Sequence, residues 1–275
     1  EPAEPPGVAA DEKTAGRSRN TPSLAGNGIG PSLSKSRSNG ISTSTHKRAD
    51  ALHSLNEAFL AEGCFIHIPS GVLDDLTLNL VSFVDSKSVD KPFMLHPRVL
   101  IHLAENSKLS LRQIQQGFSG EYFENFVVDV KVGSGAELDY VLAQQAGTRG
   151  RSVSQSSFWI SEGGKVKAFT VSKGSLLTRT QINLYSEGES TQTQLYGIFL
   201  GDDKSHVDVR TNSEHLKPKG VSTQVHKGIL FDEARGVFNG KITIAIDAQE
   251  VDAHMLNQNL LLGDLAEIDT KPELD

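Results

Sequence analysis

From Leu76 onward, apolar and polar residues alternate in short runs. Leu76, Leu78 and Leu80 form one such run, and Leu138, Tyr140 and Leu142 another. Val166, Ala168 and Thr170 repeat it, as do Leu109, Leu111 and, after a slip of register, Ile114. Period-two alternation marks a half-buried strand, because successive side chains leave opposite faces. Small, glycine or charged residues precede each run: Glu105-Asn106-Ser107, Gly133-Ser134-Gly135, Glu162-Gly163-Gly164 and Glu187-Gly188-Glu189. These turns recur at roughly 25–29 residues, within the range of repeat architectures. Helical periodicity is almost missing between them, which argues against alternating βα units. The pattern predicts an all-β chain and leaves two architectures open, a stacked solenoid and an antiparallel sandwich. Asn239-Gly240, between Val237-Phe238 and Ile242-Ile244, has the form of a hairpin turn.

Ahead of the strands, Leu52, Leu55, Ala58 and Phe59 stand at helical spacing, predicting a short helix over 51–61 that Gly63 ends. Phe65 to Ile68 reads as a strand stopped by Pro69-Ser70-Gly71. Residues 1–50 are rich in Pro, Ser and Gly and poor in large apolar side chains. Such a segment buries too little to offset its ordering entropy and is expected to be disordered. The expected division is therefore a disordered 1–50 and a β-rich core over 51–275. From Lys13 to Ala49 there is no Asp or Glu, while Arg17, Arg19, Lys35, Arg37, Lys47 and Arg48 stand among serines. That composition suits an organelle transit peptide, and equally a flexible linker; the acidic start, Glu1 to Glu12, departs from a simple transit peptide.

The net charge of −7 gives no footing for a nucleic-acid partner, and no apolar run is long enough for a membrane span. Cys64 is the single cysteine, so neither an internal disulfide nor a multi-cysteine metal site is available. An iron–sulfur cluster cannot be held by the usual set of thiolates from this chain alone. Cys64 is expected to be a small buried hydrophobe. Nine histidines are present, without compact zinc-type spacing. His215 and His226 flank a Lys-Pro-Lys-Gly turn and would line one surface of the core, or serve as ordinary surface or hydrogen-bonded histidines. No phosphate-binding glycine loop or nucleophile elbow occurs. The acidic pairs Asp74-Asp75 and Asp202-Asp203 read as solvated turns; carbohydrate cleavage would need two carboxylates facing each other across a cleft.

The C-terminal third carries a family resemblance. Five blocks stand in order: His226-Lys227-Gly228-Ile229-Leu230, then Gly236-Val237-Phe238-Asn239-Gly240, then Ala248 through Ala253, then Asn259-Leu260-Leu261, then Ala266 through Thr270-Lys271-Pro272-Glu273-Leu274. Together with Glu214-His215 upstream, this resembles the SufD branch of the SufB/SufD family of iron–sulfur cluster assembly proteins. The resemblance extends more weakly to about 51–275. It implies a right-handed parallel β-helix core. It further implies a non-enzymatic scaffold of the Suf (SufBCD) complex, paired with SufB and the ATPase SufC, in a bacterial cytoplasm or a plastid stroma, the Arg/Ser-rich lead leaning toward the plastid. The cluster would be assembled transiently in the complex, not bound as a cofactor of this chain. The SufB branch and a carbohydrate-active β-helix enzyme are the alternatives. His215, His226, Lys227, Val237, Phe238, Asn239 and Gly240 are the family-motif residues. The family's Cys-Ser-His block and its SufC-docking helical tail, which follow the Lys-Pro motif, are not in the sequence, so no cluster ligand carries over and SufC contact is expected to need that tail.

Overall fold

The computed structural model describes residues 50–61, 63–73, 76–85, 91–118 and 120–275. The expected disordered lead lies outside the described residues except for Asp50, and so does the Asp74-Asp75 pair. Among the described residues one helix, α1 (Ala51–Ala58), precedes sixteen strands numbered in chain order. The first sheet holds β1 (Cys64–Ile68), β3 (Phe93–Leu95), β4 (Arg98–Leu103), β6 (Tyr122–Val132), β8 (Arg151–Ile160), β10 (Leu177–Ser186), β12 (His206–His215), β14 (Arg235–Ile244) and β16 (Glu267–Leu274). The second holds β2 (Thr77–Val84), β5 (Lys108–Gly117), β7 (Glu137–Gln145), β9 (Lys165–Lys173), β11 (Gln192–Gly201), β13 (Val221–Leu230) and β15 (Asp252–Leu261).

The chain alternates between the sheets, and each strand pairs in parallel with the strand one coil later in the same sheet. That is a parallel β-solenoid, one coil for each strand of the seven-stranded sheet. Among the described strands every ladder is parallel, which removes the sandwich. The turns stack as the strands do. Asn106 N–H donates to Ser134 O, Gly135 N–H to Glu162 O, Gly163 N–H to Glu189 O, Ser190 N–H to Pro218 O and Lys219 N–H to Gln249 O, at 2.9–3.1 Å. All five donors have positive φ, from 52° to 66°. Only two are glycine, so this corner places Asn, Ser and Lys in the left-handed region. Asn suits it; Ser and Lys are less common there, and here the inter-coil hydrogen bond holds them.

Several sequence expectations change in position. The helix ends at Ala58 with Phe59 as its cap, one turn before Gly63. The slip at Ile114 does not occur: β5 is continuous, Gln113 and Gln115 take the inward positions, and Ile114 points out. The inward column changed from apolar to polar, which looks like a register break in sequence. Asn239-Gly240 is not a turn but the middle of β14, paired on both sides. Gly240 is there for space: a Cβ would lie 2.6 Å from Met255 Sδ and 2.8 Å from Phe238 Cζ. Cys64 is exposed rather than buried, because it opens β1 at the sheet edge, where no further described strand covers it.

The outer faces of the two sheets differ. On the first sheet, α1 lies against β6: Asn56 Nδ2 donates to Asn125 O (2.8 Å) and Pro97 O (3.0 Å), and Asn125 Nδ2 donates to Leu52 O (2.6 Å). Asp50 caps the helix by accepting from Leu52 N–H at 3.0 Å. Beyond the helix this face is mainly polar, with Asp208 held by Arg179 (2.6 and 2.9 Å) and Arg210 (3.0 Å), and with Trp159 and Tyr185 stacked on it. The second sheet turns apolar ladders outward instead.

Candidate functional site

Because coils stack in register, each inward position becomes a column running along the solenoid. Following the columns shows that the interior exchanges its polar and apolar sides part-way along. In the second sheet one column runs Leu109, Leu138, Val166, Thr193, Ser222; in the first sheet another runs Val132, Ile160, Ser186, His215. Both begin apolar and turn polar part-way, after which Ala253 follows Ser222 and Ile244 follows His215. The columns at the opposite corner do the reverse: Gln115, Gln144 and Ser172 give way to Phe199, while Glu124, Ser152 and Thr178 give way to Val207. The apolar core accordingly has two parts, a large cluster from Ile68 to Leu195 and a small one of Phe199, Val207, Val209 and Phe238 with Met255 and Ile268 against it.

The N-terminal polar compartment is closely knit. Gln144 Nε2 donates to Ser152 Oγ (2.9 Å), Thr180 Oγ1 donates to Gln144 Oε1 (2.7 Å), and Ser172 and Thr180 share a hydrogen bond at 2.6 Å. Tyr140 Oη donates to Gln113 Oε1 at 2.6 Å and meets Ser156 Oγ at 2.8 Å. Glu124 accepts from Ser82, from Gln115 Nε2 (3.1 Å) and from Ser152 Oγ (3.3 Å). Burial still raises its carboxyl above the usual range, and burial pushes the Tyr140 phenol upward too.

The C-terminal compartment contains the family-motif histidines and is loosely knit. His215 and His226 are both fully buried. They stand on opposite sheets and both face the interior, His215 as a hydrogen-bonded histidine. His215 Nε2 meets Ser222 Oγ at 2.9 Å, while its Nδ1 has no partner among the described residues. Neither ring nitrogen of His226 has one, nor do Gln224 Nε2, Ser213 Oγ, Ser186 Oγ and Thr193 Oγ1. Gly197 makes room for His226: a Cβ there would lie 2.8 Å from His226 Nε2 and 2.7 Å from Thr170 Oγ1. The imidazole faces the Phe238 ring across the core at 5.0 Å between centroids. Desolvation drives its pKa from 6.5 down to about 4, and lowers that of His215.

The motif residues divide by side. His215, His226, Phe238 and Gly240 point in; Lys227, Val237 and Asn239 point out. The structure thus brings His226 and Phe238 together and separates Lys227, exposed on the second sheet, from Val237 and Asn239, half-buried on the first. The sequence reading overlooked Gly197 and Thr170, which share the column of His226. Only the column register could have found them, since they come from two earlier coils. Among the described residues no group of three His, Cys, Asp or Glu side chains is placed to hold a metal ion. Asp202-Asp203 sits in an exposed turn. What the compartment offers is neutral donors and acceptors in a closed, low-dielectric space, without a paired acid and base.

A solenoid with this repeat, and with this motif order in its last coils, points to one family. The family described as "SUF system FeS cluster assembly, SufBD core domain" matches residues 84–275, and the chain belongs to it. It is 24% identical over 236 residues to an iron–sulfur cluster assembly SufBD family protein of Synechocystis, covering 82% of this chain and 51% of that protein. It is 42% identical over 98 residues to the iron–sulfur cluster assembly protein SufD of Escherichia coli, covering 36% of this chain and 22% of that protein. The chloroplastic protein ABCI7 of Arabidopsis thaliana is 24% identical over 232 residues, covering 82% of this chain and 49% of that protein. The chain spans about half the length of the longest-matching curated relatives. Relatives are thus both bacterial and chloroplastic. No described helix is long and apolar enough to cross a membrane.

Proposed function

We propose that this chain is the β-solenoid core of a SufD-type scaffold subunit in iron–sulfur cluster assembly, pairing with SufB and SufC and having no turnover of its own. The observation that carries the reading is the family match over residues 84–275, together with 42% identity over 98 residues to a SufD. In this reading the cluster is cargo of the complex, and the buried histidines serve the core rather than ligate iron. The compartment of action is a bacterial cytoplasm or a plastid stroma, the plastid favoured by the acid-free, Arg/Ser-rich stretch before the core. Co-expression of the full-length gene with SufB and SufC tests the reading. One stable complex on size exclusion is expected; a full-length protein that elutes apart from both overturns it.

A further inference from the structure

The second sheet presents to solvent a face that a solvated sheet would not need. Its outward register stacks Val81, Ile114, Ala143, Val171 and Ile198 in one ladder. The adjoining ladder stacks Val141, Phe169, Tyr196, Val225 and Leu256. Val81 is 60% exposed and Leu256 46%. The two ladders overlap on β7, β9 and β11 and together form a diagonal apolar band from β2 to β15. Seven strands at the usual spacing make that band roughly 29 Å long. A helix of about 20 residues has the same length. Midway along the band lies a depression of about 110 Å³, lined by Ile114, Gln116, Ala143, Gln145, Val171 and Lys173. It exists because Ala143 stands in register between Ile114 and Val171, a methyl between two larger side chains. Contiguous exposed apolar area of this kind marks an interaction site.

Charge selects the occupant. The outward positions of this sheet carry Lys108, Arg112, Lys165, Lys167, Lys173 and Lys227 against Glu137, Asp139 and Asp252, six cations to three anions on a chain of net charge −7. A second copy placed face to face would set like charges against each other. The stretch from Lys13 to Ala49 has no acidic residue and few large apolar ones, so it matches neither the charge nor the surface. We infer that the outer face of the second sheet is a docking site for an amphipathic helix of a partner protein, with one apolar stripe and acidic flanks. The stripe lies along the diagonal band, a bulky side chain enters the depression at Ala143, and the acidic flanks meet Lys167, Lys173 and Lys227. The band reaches the last coil only at Leu256, and Lys167, Lys173 and Ile198, the residues the test changes, lie on β9 and β11, so the outcome is read apart from pairing with SufB.

The test uses the whole chain and two labelled 20-residue helical peptides with the same leucine stripe, one flanked by Glu and one by Lys, followed by fluorescence anisotropy. The Glu peptide is expected to bind saturably, at least tenfold more tightly than the Lys peptide, and more weakly as salt rises. Ile198→Asp should weaken it at least tenfold with an unchanged circular dichroism spectrum, because Ile198 points outward. The double variant Lys167→Glu and Lys173→Glu should reverse the preference between peptides, and it serves if Ile198→Asp does not fold. No saturable binding, or equal binding of both peptides, overturns the inference. So does a concentration-dependent dimer that Ile198→Asp abolishes, which would assign the face to a second copy.

Discussion

The two polar compartments inside the solenoid are built from the same backbone and differ in how their side chains are answered. In the N-terminal one, Gln113, Tyr140, Gln144, Thr180 and Glu124 are tied to one another across coils and sheets. In the C-terminal one, His226, Gln224, Ser213 and Thr193 retain atoms with no partner among the described residues. A satisfied buried network rigidifies a core, whereas each unanswered group costs its full desolvation. The motif histidines therefore sit where the core is least settled. Polarity inside a solenoid is thus not one property: it stabilises where side chains answer one another and weakens where, beyond the Thr211–Gln224 and His215–Ser222 bonds, polar atoms are left unanswered.

Acid is expected to separate the compartments most. His226 titrates near 6.5 when unfolded and at about 4 when folded. Below pH 6.5 the unfolded chain takes up a proton that the folded chain refuses, so stability present above 6.5 is lost as pH falls toward 4. The full loss is about 3 kcal/mol, because each tenfold drop in proton affinity on folding is worth about 1.4 kcal/mol. His215 adds in the same direction. Glu124 has the opposite sign, because its raised carboxyl makes the folded state less stable as pH rises through the acid range. Urea titrations from pH 7 to pH 4 should show His226→Leu flattening the decline; an unchanged slope would break the assignment to this compartment.

Gly197→Ala comes next. The added Cβ meets the His226 ring and Thr170, and overpacking of that kind costs about 2 kcal/mol. The same change in a His226→Ala background should cost much less, and additive costs in the double-mutant cycle would show that the ring does not fill the space Gly197 leaves. The smallest effects give the sharpest contrast. Tyr140→Phe removes a hydroxyl bonded to Gln113 and Ser156 and should cost about 1 kcal/mol. Thr193→Val removes a hydroxyl with no partner among the described residues and should be neutral or stabilising. Thermal unfolding of the pair decides; equal losses would mean the compartments are answered alike.

Much of the fold was legible, and the misplacements share one cause. The alternation in Leu138, Tyr140 and Leu142 located a strand because neighbouring residues alone set which face each takes. The recurring turns showed a repeat because every coil needs a corner. The sequence missed the continuity of β5, where Gln113 succeeds Leu111 inside, and misread Asn239-Gly240 as a turn. In both places the residue answers to another coil: Gln113 to Tyr140 and Ser154, Gly240 to Met255. His226 was found through a family motif, but its partners Gly197 and Thr170 lie 29 and 56 residues earlier and meet it only through register.

By itself, the sequence determined the all-β character, the repeat and the family, because alternation, turn residues and motif order are local or linear properties. Parallel stacking was implied by the family resemblance and is what the ladders show, while tertiary structure alone decided that the polar and apolar sides of the core change places between coils. It also decided that one outer face is apolar. Those depend on which residues share a column, and a column joins positions about one coil apart, at a distance that small differences in coil length conceal along the chain.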